Sequence, residues 1–350
     1  MAAGGKSNPG NFFEDFKPGE TLIHATPQTV TEGDLALYRA LTGGRYAQYS
    51  SAEFAKAVGL PGLCADPLHA FHIVFGKSVP DISLNAVANL GYADGRILRP
   101  VLPGDTLRAT SDVIGVKENS NGKTGVVWVR TRGLNQRGED VMSYVRWVMV
   151  NKRDAASPAP EAVVPELPAA VPASDLTGVP EMETWYFAQS GSRHVLEDYE
   201  IGERINHVDG MTVEEAEHQI ATRLYQNTAK VHFDAHGQKA SRFGKRLIYG
   251  GVVISIARSL AFNGLENAGQ LLAINAGSHV SPLFAGDTVY AWSEVLDKAE
   301  ISDGAGALRL RLVAVKDGDP AGFAYKDEAG KYDPSVLLDF DYWAAIPRGR

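Results

Sequence analysis

The chain contains one cysteine, Cys64. A lone thiol excludes an internal disulfide and a metal centre built from several thiolates, and its expected role is that of a small apolar side chain. No apolar run reaches the ~18 residues that would span a bilayer, so no membrane partner is expected. Basic residues are scattered and the net charge is −8. Nucleic acid is therefore not an expected partner, because phosphate neutralisation needs clustered Lys and Arg. The opening MAAGGKSNPGN lacks the apolar stretch of a secretory leader, and a cytoplasmic location is expected. Low-complexity blocks are also missing. With 44% hydrophobic and 22% charged residues, the composition is that of a globular protein.

What the chain does have is internal repetition. DFKPGE (Asp15 to Glu20) returns as DYEIGE (Asp198 to Glu203), 183 residues later. HATPQTVTEGD (His24 to Asp34) returns as HVDGMTVEEAE (His207 to Glu217), again 183 residues on. PGDTL (Pro103 to Leu107) returns as AGDTV (Ala285 to Val289), 182 residues on. Ordered matches at a steady offset imply two copies of one domain, and 350 residues suit two cores better than one. The expected boundaries are 11–153 for the first copy, 154–180 for a connector rich in Pro and Ala, and 181–350 for the second. A connector of that composition holds neither helix nor sheet ladder and is expected to be extended.

Each copy reads in the same order. In the first, Thr31 caps a short helix to about Leu41, and Asp66 opens a long apolar helix to about Val79. Apolar residues run nearly round that second helix, which marks it as buried. Strand-like alternation follows at Thr106 to Val116, Gly125 to Leu134 and Asp140 to Asn151. In the second copy the helices are expected at about Thr212 to Leu224 and Gly250 to Phe262. Strands are expected at Leu271 to Ser278, Thr288 to Leu296, Leu308 to Lys316 and Val336 to Ile346. A long helix against an antiparallel sheet, built twice, is an α+β arrangement.

This order, with PGDTL between the buried helix and the strands, resembles the MaoC-like enoyl-CoA hydratases in their double-hotdog form. SVPDISLNAVANLGYADGR (Ser78 to Arg96) and KTGVVWVRTRGLNQRGE (Lys123 to Glu139) resemble the mesaconyl-CoA hydratases, also called β-methylmalyl-CoA dehydratases. The resemblance implies a hydro-lyase acting on a branched dicarboxylic enoyl-CoA. It implies no metal or redox cofactor, since CoA is part of the substrate, and a homodimer by analogy of fold. A thioesterase on the same fold and a non-catalytic acyl-CoA binding protein are the alternatives.

Hydratases of this kind carry a Gly-Asp-x-Asn-Pro-apolar-His segment. Here the second copy reads Gln226, Asn227, Thr228, Ala229, Lys230, Val231, His232. His232 falls on the family histidine and Asn227 on its acid. The first copy has Gly44 for the acid and Tyr49 for the histidine. An imidazole accepts a proton near neutral pH and a phenol near pKa ~10 does not, so one working site is expected, in the second copy. Asn227 is expected to orient the water or the ring, and Asp234 to supply the missing charge. His236 stands near Asp234, but no third ligand at useful spacing suggests a metal. Gly250, which follows His232 by 18 residues, matches the glycine whose helix-end N–H meets the thioester oxygen in the family. His69 and Ala70 are the expected counterparts in the first copy. Tyr249, Gly251, Arg45 and Lys230 are expected to bind substrate. Arg96, Arg99, Arg242 and Lys245 are further candidates for the CoA phosphates, and Arg45 or Arg258 for the substrate carboxylate.

Overall fold

The computed structural model describes residues 6–349. The reading of the opening segment falls partly on residues 1–5, outside the described residues.

Ten strands form one antiparallel sheet. They are β1 (Thr21–Thr29), β2 (Ala86–Ile97), β3 (Thr106–Glu118), β4 (Thr124–Leu134), β5 (Asp140–Asn151), β6 (Arg204–Thr212), β7 (Gln270–His279), β8 (Thr288–Glu300), β9 (Ala305–Lys316) and β10 (Val336–Pro347). Their order is β1-β3-β4-β5-β2-β7-β10-β9-β8-β6. Each half repeats the other in reverse, so a pseudo-twofold axis passes between β2 and β7. There Tyr92 pairs with Gly277 and Ala93 with Ala276. The duplication extends to single bonds. His24 Nε2 lies 2.8 Å from Ser111 Oγ, and His207 Nε2 lies 2.8 Å from Ser293 Oγ, each tying an edge strand to its neighbour.

Four helices have ten or more residues: α1 (Glu32–Thr42), α2 (Pro67–Ser78), α3 (Glu215–Leu224) and α4 (Gly250–Leu260). Thr31 and Asp34 form a capping box at the start of α1, and Gly43 ends it at φ 71°, a conformation glycine adopts freely. Asp66 caps α2 by accepting the Leu68 N–H at 2.8 Å, with Pro67 as its first residue. Every residue of α2 is buried, as is every residue of α4 except Gly250. The two helices are the axles of the two half-sheets, α2 against β1, β3 and β4 and α4 against β6, β8, β9 and β10.

Three strands carry no alternation that sequence reading would detect. β1 and β6 are edge strands whose only buried residues are His24 and His207. β2 includes Gly91 and Gly95 and shifts register three times against β5. The connector is extended but fastened. Val163 exchanges backbone bonds of 2.9 Å with Val116, and Val171 takes the Trp343 indole N–H at 3.0 Å. Among the described residues no helix is long and apolar enough to cross a membrane.

Candidate active site

The chain leaves α3 at Leu224 and turns through Asn227. The Asn227 Oδ1 accepts the Ala229 N–H at 3.0 Å, which sets up a short helix, Lys230–Phe233, carrying His232. Two bonds clasp that helix to the approach of α4: Leu247 N–H donates to the Val231 carbonyl at 3.0 Å, and His232 Nδ1 lies 3.0 Å from the Leu247 carbonyl. A carbonyl only accepts, so Nδ1 carries the proton and Nε2 keeps its lone pair. Among the described residues nothing pairs with that Nε2, and it is not a sealed atom. Burial disfavours the cation and lowers the His232 pKa to about 4, partly offset by the Leu247 carbonyl. At neutral pH the ring is a free base.

Helix α4 begins beside it. Tyr249 N–H donates to His218 Nε2 at 2.9 Å, and Ile248 N–H to the Leu283 carbonyl at 2.9 Å. Gly250 and Gly251 come next, with N–H groups that no carbonyl of their own helix accepts. Both positions need glycine because rings press on the backbone. A Cβ on Gly250 would stand 2.4 Å from Cε1 of His279, and one on Gly251 2.7 Å from Cε1 of His72. The buried Tyr249 ring lies 5.4 Å from His232, 5.6 Å from Phe75 and 5.6 Å from His72, centroid to centroid. Burial raises the Tyr249 pKa well above that of a free phenol.

His279, the last residue of β7, closes the arrangement. Its Nε2 is 3.1 Å from the Tyr92 hydroxyl. Burial, and secondarily the nearby His232, lower its pKa to about 4. His232, Gly250 and His279 belong to the second half, whereas His72, Phe75 and Tyr92 belong to the first. The site is a junction of both halves.

The pseudo-symmetric place in the first half carries different groups. Tyr49 stands for His232 and donates its hydroxyl to Gln270 Oε1 at 2.6 Å. Ile97, the last residue of β2, stands for His279. The expected counterpart of Gly250 needs correction: Pro67, and not His69 or Ala70, is the first residue of α2, because Asp66 caps the helix two residues earlier. Proline has no N–H to offer a thioester oxygen. Tyr49, Pro67 and Ile97 line one cavity of about 350 Å³. His69 is fully buried instead, stacked on Tyr38 at 4.7 Å with neither ring nitrogen bonded.

Other expected residues sit elsewhere or are spent. Asp234 accepts the Gly237 N–H at 2.9 Å, capping the turn after His232; it does not hold the His232 ring, whose Nδ1 belongs to Leu247. His236 is exposed, and among the described residues no group of three or more His, Cys, Asp and Glu side chains gathers as a metal site. Arg45 lies over the Phe262 ring at 4.7 Å, just past the C-terminal end of α4. The helical rise puts that end ~16 Å from Gly250, so Arg45 is not a neighbour of the reacting atoms. Arg258 is buried, and its two terminal nitrogens are already engaged, donating to the hydroxyls of Tyr46 at 2.6 Å and Tyr342 at 3.4 Å and to the carbonyls of Ala268 and Gly269. Arg96 is paired with Asp94 and Asp175, and Arg99 with the Asp140 carbonyl. Lys230, Arg242 and Lys245 are exposed around the His232 loop, the last two over the rings of Phe243 and Phe284. His279 and Tyr92 escaped the sequence reading, although GRILRPVLPGD aligned with GSHVSPLFAGD sets Ile97 against His279.

A family model described as mesaconyl-CoA hydratase matches residues 4–328. The chain is 63% identical over 347 residues to the mesaconyl-CoA hydratase of Cereibacter sphaeroides, covering 98% of this chain and 100% of that protein. It is 58% identical over 348 residues to the β-methylmalyl-CoA dehydratase of Chloroflexus aurantiacus, covering 98% and 99%. Among solved structures, a MaoC domain protein from Chloroflexus aurantiacus superposes with TM-score 0.97 at 57% identity, covering 99% and 100% of the two chains. A double-hotdog protein of Mycobacterium tuberculosis superposes with TM-score 0.77 at 24% identity, covering 97% and 99%, a likeness of fold. The architecture is an α+β double hotdog.

Proposed function

The chain belongs to the mesaconyl-CoA hydratase family, and from that membership we propose the reaction its site performs. It is a hydro-lyase that adds water reversibly to a branched dicarboxylic enoyl-CoA, converting mesaconyl-CoA to β-methylmalyl-CoA. The observation that carries the reading is the free Nε2 of His232 beside the unpaired N–H at the start of α4, a combination the first half has lost. In hydration His232 Nε2 takes a proton from water as the water oxygen bonds to the β-carbon. The π pair moves toward the thioester, whose oxygen becomes an enolate. A fixed Gly250 N–H aimed at that oxygen lowers the barrier by roughly 3 kcal/mol. The proton then returns to the α-carbon. Asn227 acts by positioning: its Oδ1 holds the Ala229 N–H and so sets the short helix that carries His232. Tyr249 and Gly251 pack the wall behind it.

Lys230, Arg242 and Lys245 are our candidates for the CoA phosphates, since all three are exposed on the loop that carries His232. The addition is redox-neutral, so the reading includes no redox cofactor, and CoA enters as substrate. A cytoplasmic homodimer is part of the same reading. Ile23 and Val208, 82% and 76% exposed on the edge strands β1 and β6, support it. Sedimentation tests the dimer. Incubation with a panel of enoyl-CoA esters tests the reaction. Mesaconyl-CoA should gain the mass of one water with its thioester intact. Release of free CoA thiol would identify a thioesterase, and no change at all a binding protein.

A further inference from the structure

Three positions separate the working half from the other, and the chemistry so far uses two. His232 faces Tyr49 across the pseudo-axis, Gly250 faces Pro67, and His279 faces Ile97. Tyr49, Pro67 and Ile97 meet on one cavity, so these positions converge. On the working side the His279 ring lies directly against Gly250, where a Cβ would come within 2.4–2.8 Å of three ring atoms. Its Nε2 is engaged by the Tyr92 hydroxyl at 3.1 Å, while its Nδ1 has no partner among the described residues and is not sealed. Meanwhile Asn227, where related hydratases carry an acid, cannot take or give a proton at neutral pH, and its Oδ1 is occupied by the Ala229 N–H. His279 is thus a titratable side chain of the site, besides His232, and it lies against Gly250.

We propose that His279 is the second proton-transfer residue, standing in for the acid that Asn227 lacks. The inference rests on the hydratase reading and deepens it. With the proton of that pair on His279 Nε2 and Tyr92 Oη as its acceptor, the Nδ1 lone pair faces the site. Water gives one proton to His232 Nε2 while its oxygen forms the C–O bond at the β-carbon. The former π pair rests on the α-carbon and the thioester oxygen. The proton on His232 passes to His279 Nδ1, and from there to the α-carbon, where the enolate pair forms the C–H bond. Both imidazoles end neutral, and the two halves of one water are on the product. His232 is near enough to His279 to disfavour a charge on it, so a proton on one ring opposes a second on His279.

The test uses the full chain with mesaconyl-CoA as the probe. A wild-type protein that adds no water would overturn the hydratase reading itself, and this proposal with it. With wild-type turnover in hand, His279→Gln and His279→Ala should each lower kcat by about 100-fold or more while KM stays within about threefold. Free imidazole should restore part of the activity to His279→Ala, which leaves a gap against Gly250, and none to His279→Gln. A purely structural role would not give that rescue. A folded His279→Gln that keeps more than roughly a tenth of wild-type kcat overturns the proposal and leaves the hydratase reading standing. So does a folded His279→Ala that imidazole does not rescue. If the alanine variant fails to fold, the glutamine variant decides by kcat.

Discussion

His232 Nδ1 lies 3.0 Å from the Leu247 carbonyl, and this bond makes the other ring nitrogen a base. An asparagine at the position has an N–H where His Nδ1 stands and nothing where Nε2 stands. His232→Asn should therefore keep the clasp to Leu247, fold normally, and lose about 100-fold or more in turnover. Steady-state kinetics beside a thermal melt checks it. A near-normal rate would remove His232 from the mechanism.

Gly250 separates two effects that one substitution would mix. Alanine and proline both bring a Cβ against His279, but only proline also removes the N–H. If that N–H meets the enolate oxygen, Gly250→Pro should fall about 100-fold below Gly250→Ala in kcat. Equal rates in the two variants would mean that the amide takes no part. The reciprocal Pro67→Gly gives the first half an N–H but no imidazole, and turnover per chain should not rise.

Gly76 is where the first half supports the second. A Cβ there would stand 1.9 Å from the Tyr225 carbonyl oxygen and 3.2 Å from the Asn227 nitrogen. Helix propensity alone favours Gly→Ala by ~1 kcal/mol. The backbone contact has the opposite sign and should win, with a net loss of about 1–3 kcal/mol. Denaturant titration of Gly76→Ala reads the sign directly. Turnover should fall too, since the displaced segment leads into His232.

Burial lowers six histidines below the ordinary imidazole range: His72 and His218 to about 3, and His69, His207, His232 and His279 to about 4. In the unfolded chain they titrate near ~6.5. Between that value and 3–4 the unfolded state binds protons that the folded state refuses. Their contribution is therefore fully present above pH ~6.5 and is lost as the pH falls through the window. Asp66, raised by burial to about 6, acts oppositely, but it is one group against six. Calorimetry should show Tm falling from pH 7 to pH 5; a constant or rising Tm would contradict the assignment.

Local signals carried much of this. Thr31 and Asp34 form the box their spacing implies, and Asp66 and Pro67 start the buried helix. Edge strands β1 and β6 stayed hidden because each faces water along nearly its whole length. Arg258 shows the limit from the other side. A charged residue on an apolar helix reads as a ligand for a carboxylate, and only its surroundings reveal that two carbonyls and a tyrosine already hold it.

From the order of residues alone came the duplication, the two buried helices, and the contrast of His232 with Tyr49, because these depend on caps, short periods and comparison at a fixed offset. Which nitrogen of His232 is free, that Pro67 opposes Gly250, and that His279 meets Gly250 while Tyr92 reaches in from the other half were decided by the continuous ten-stranded sheet. Such contacts join residues as far apart as Tyr92 and His279, and no local propensity encodes a pairing across that span.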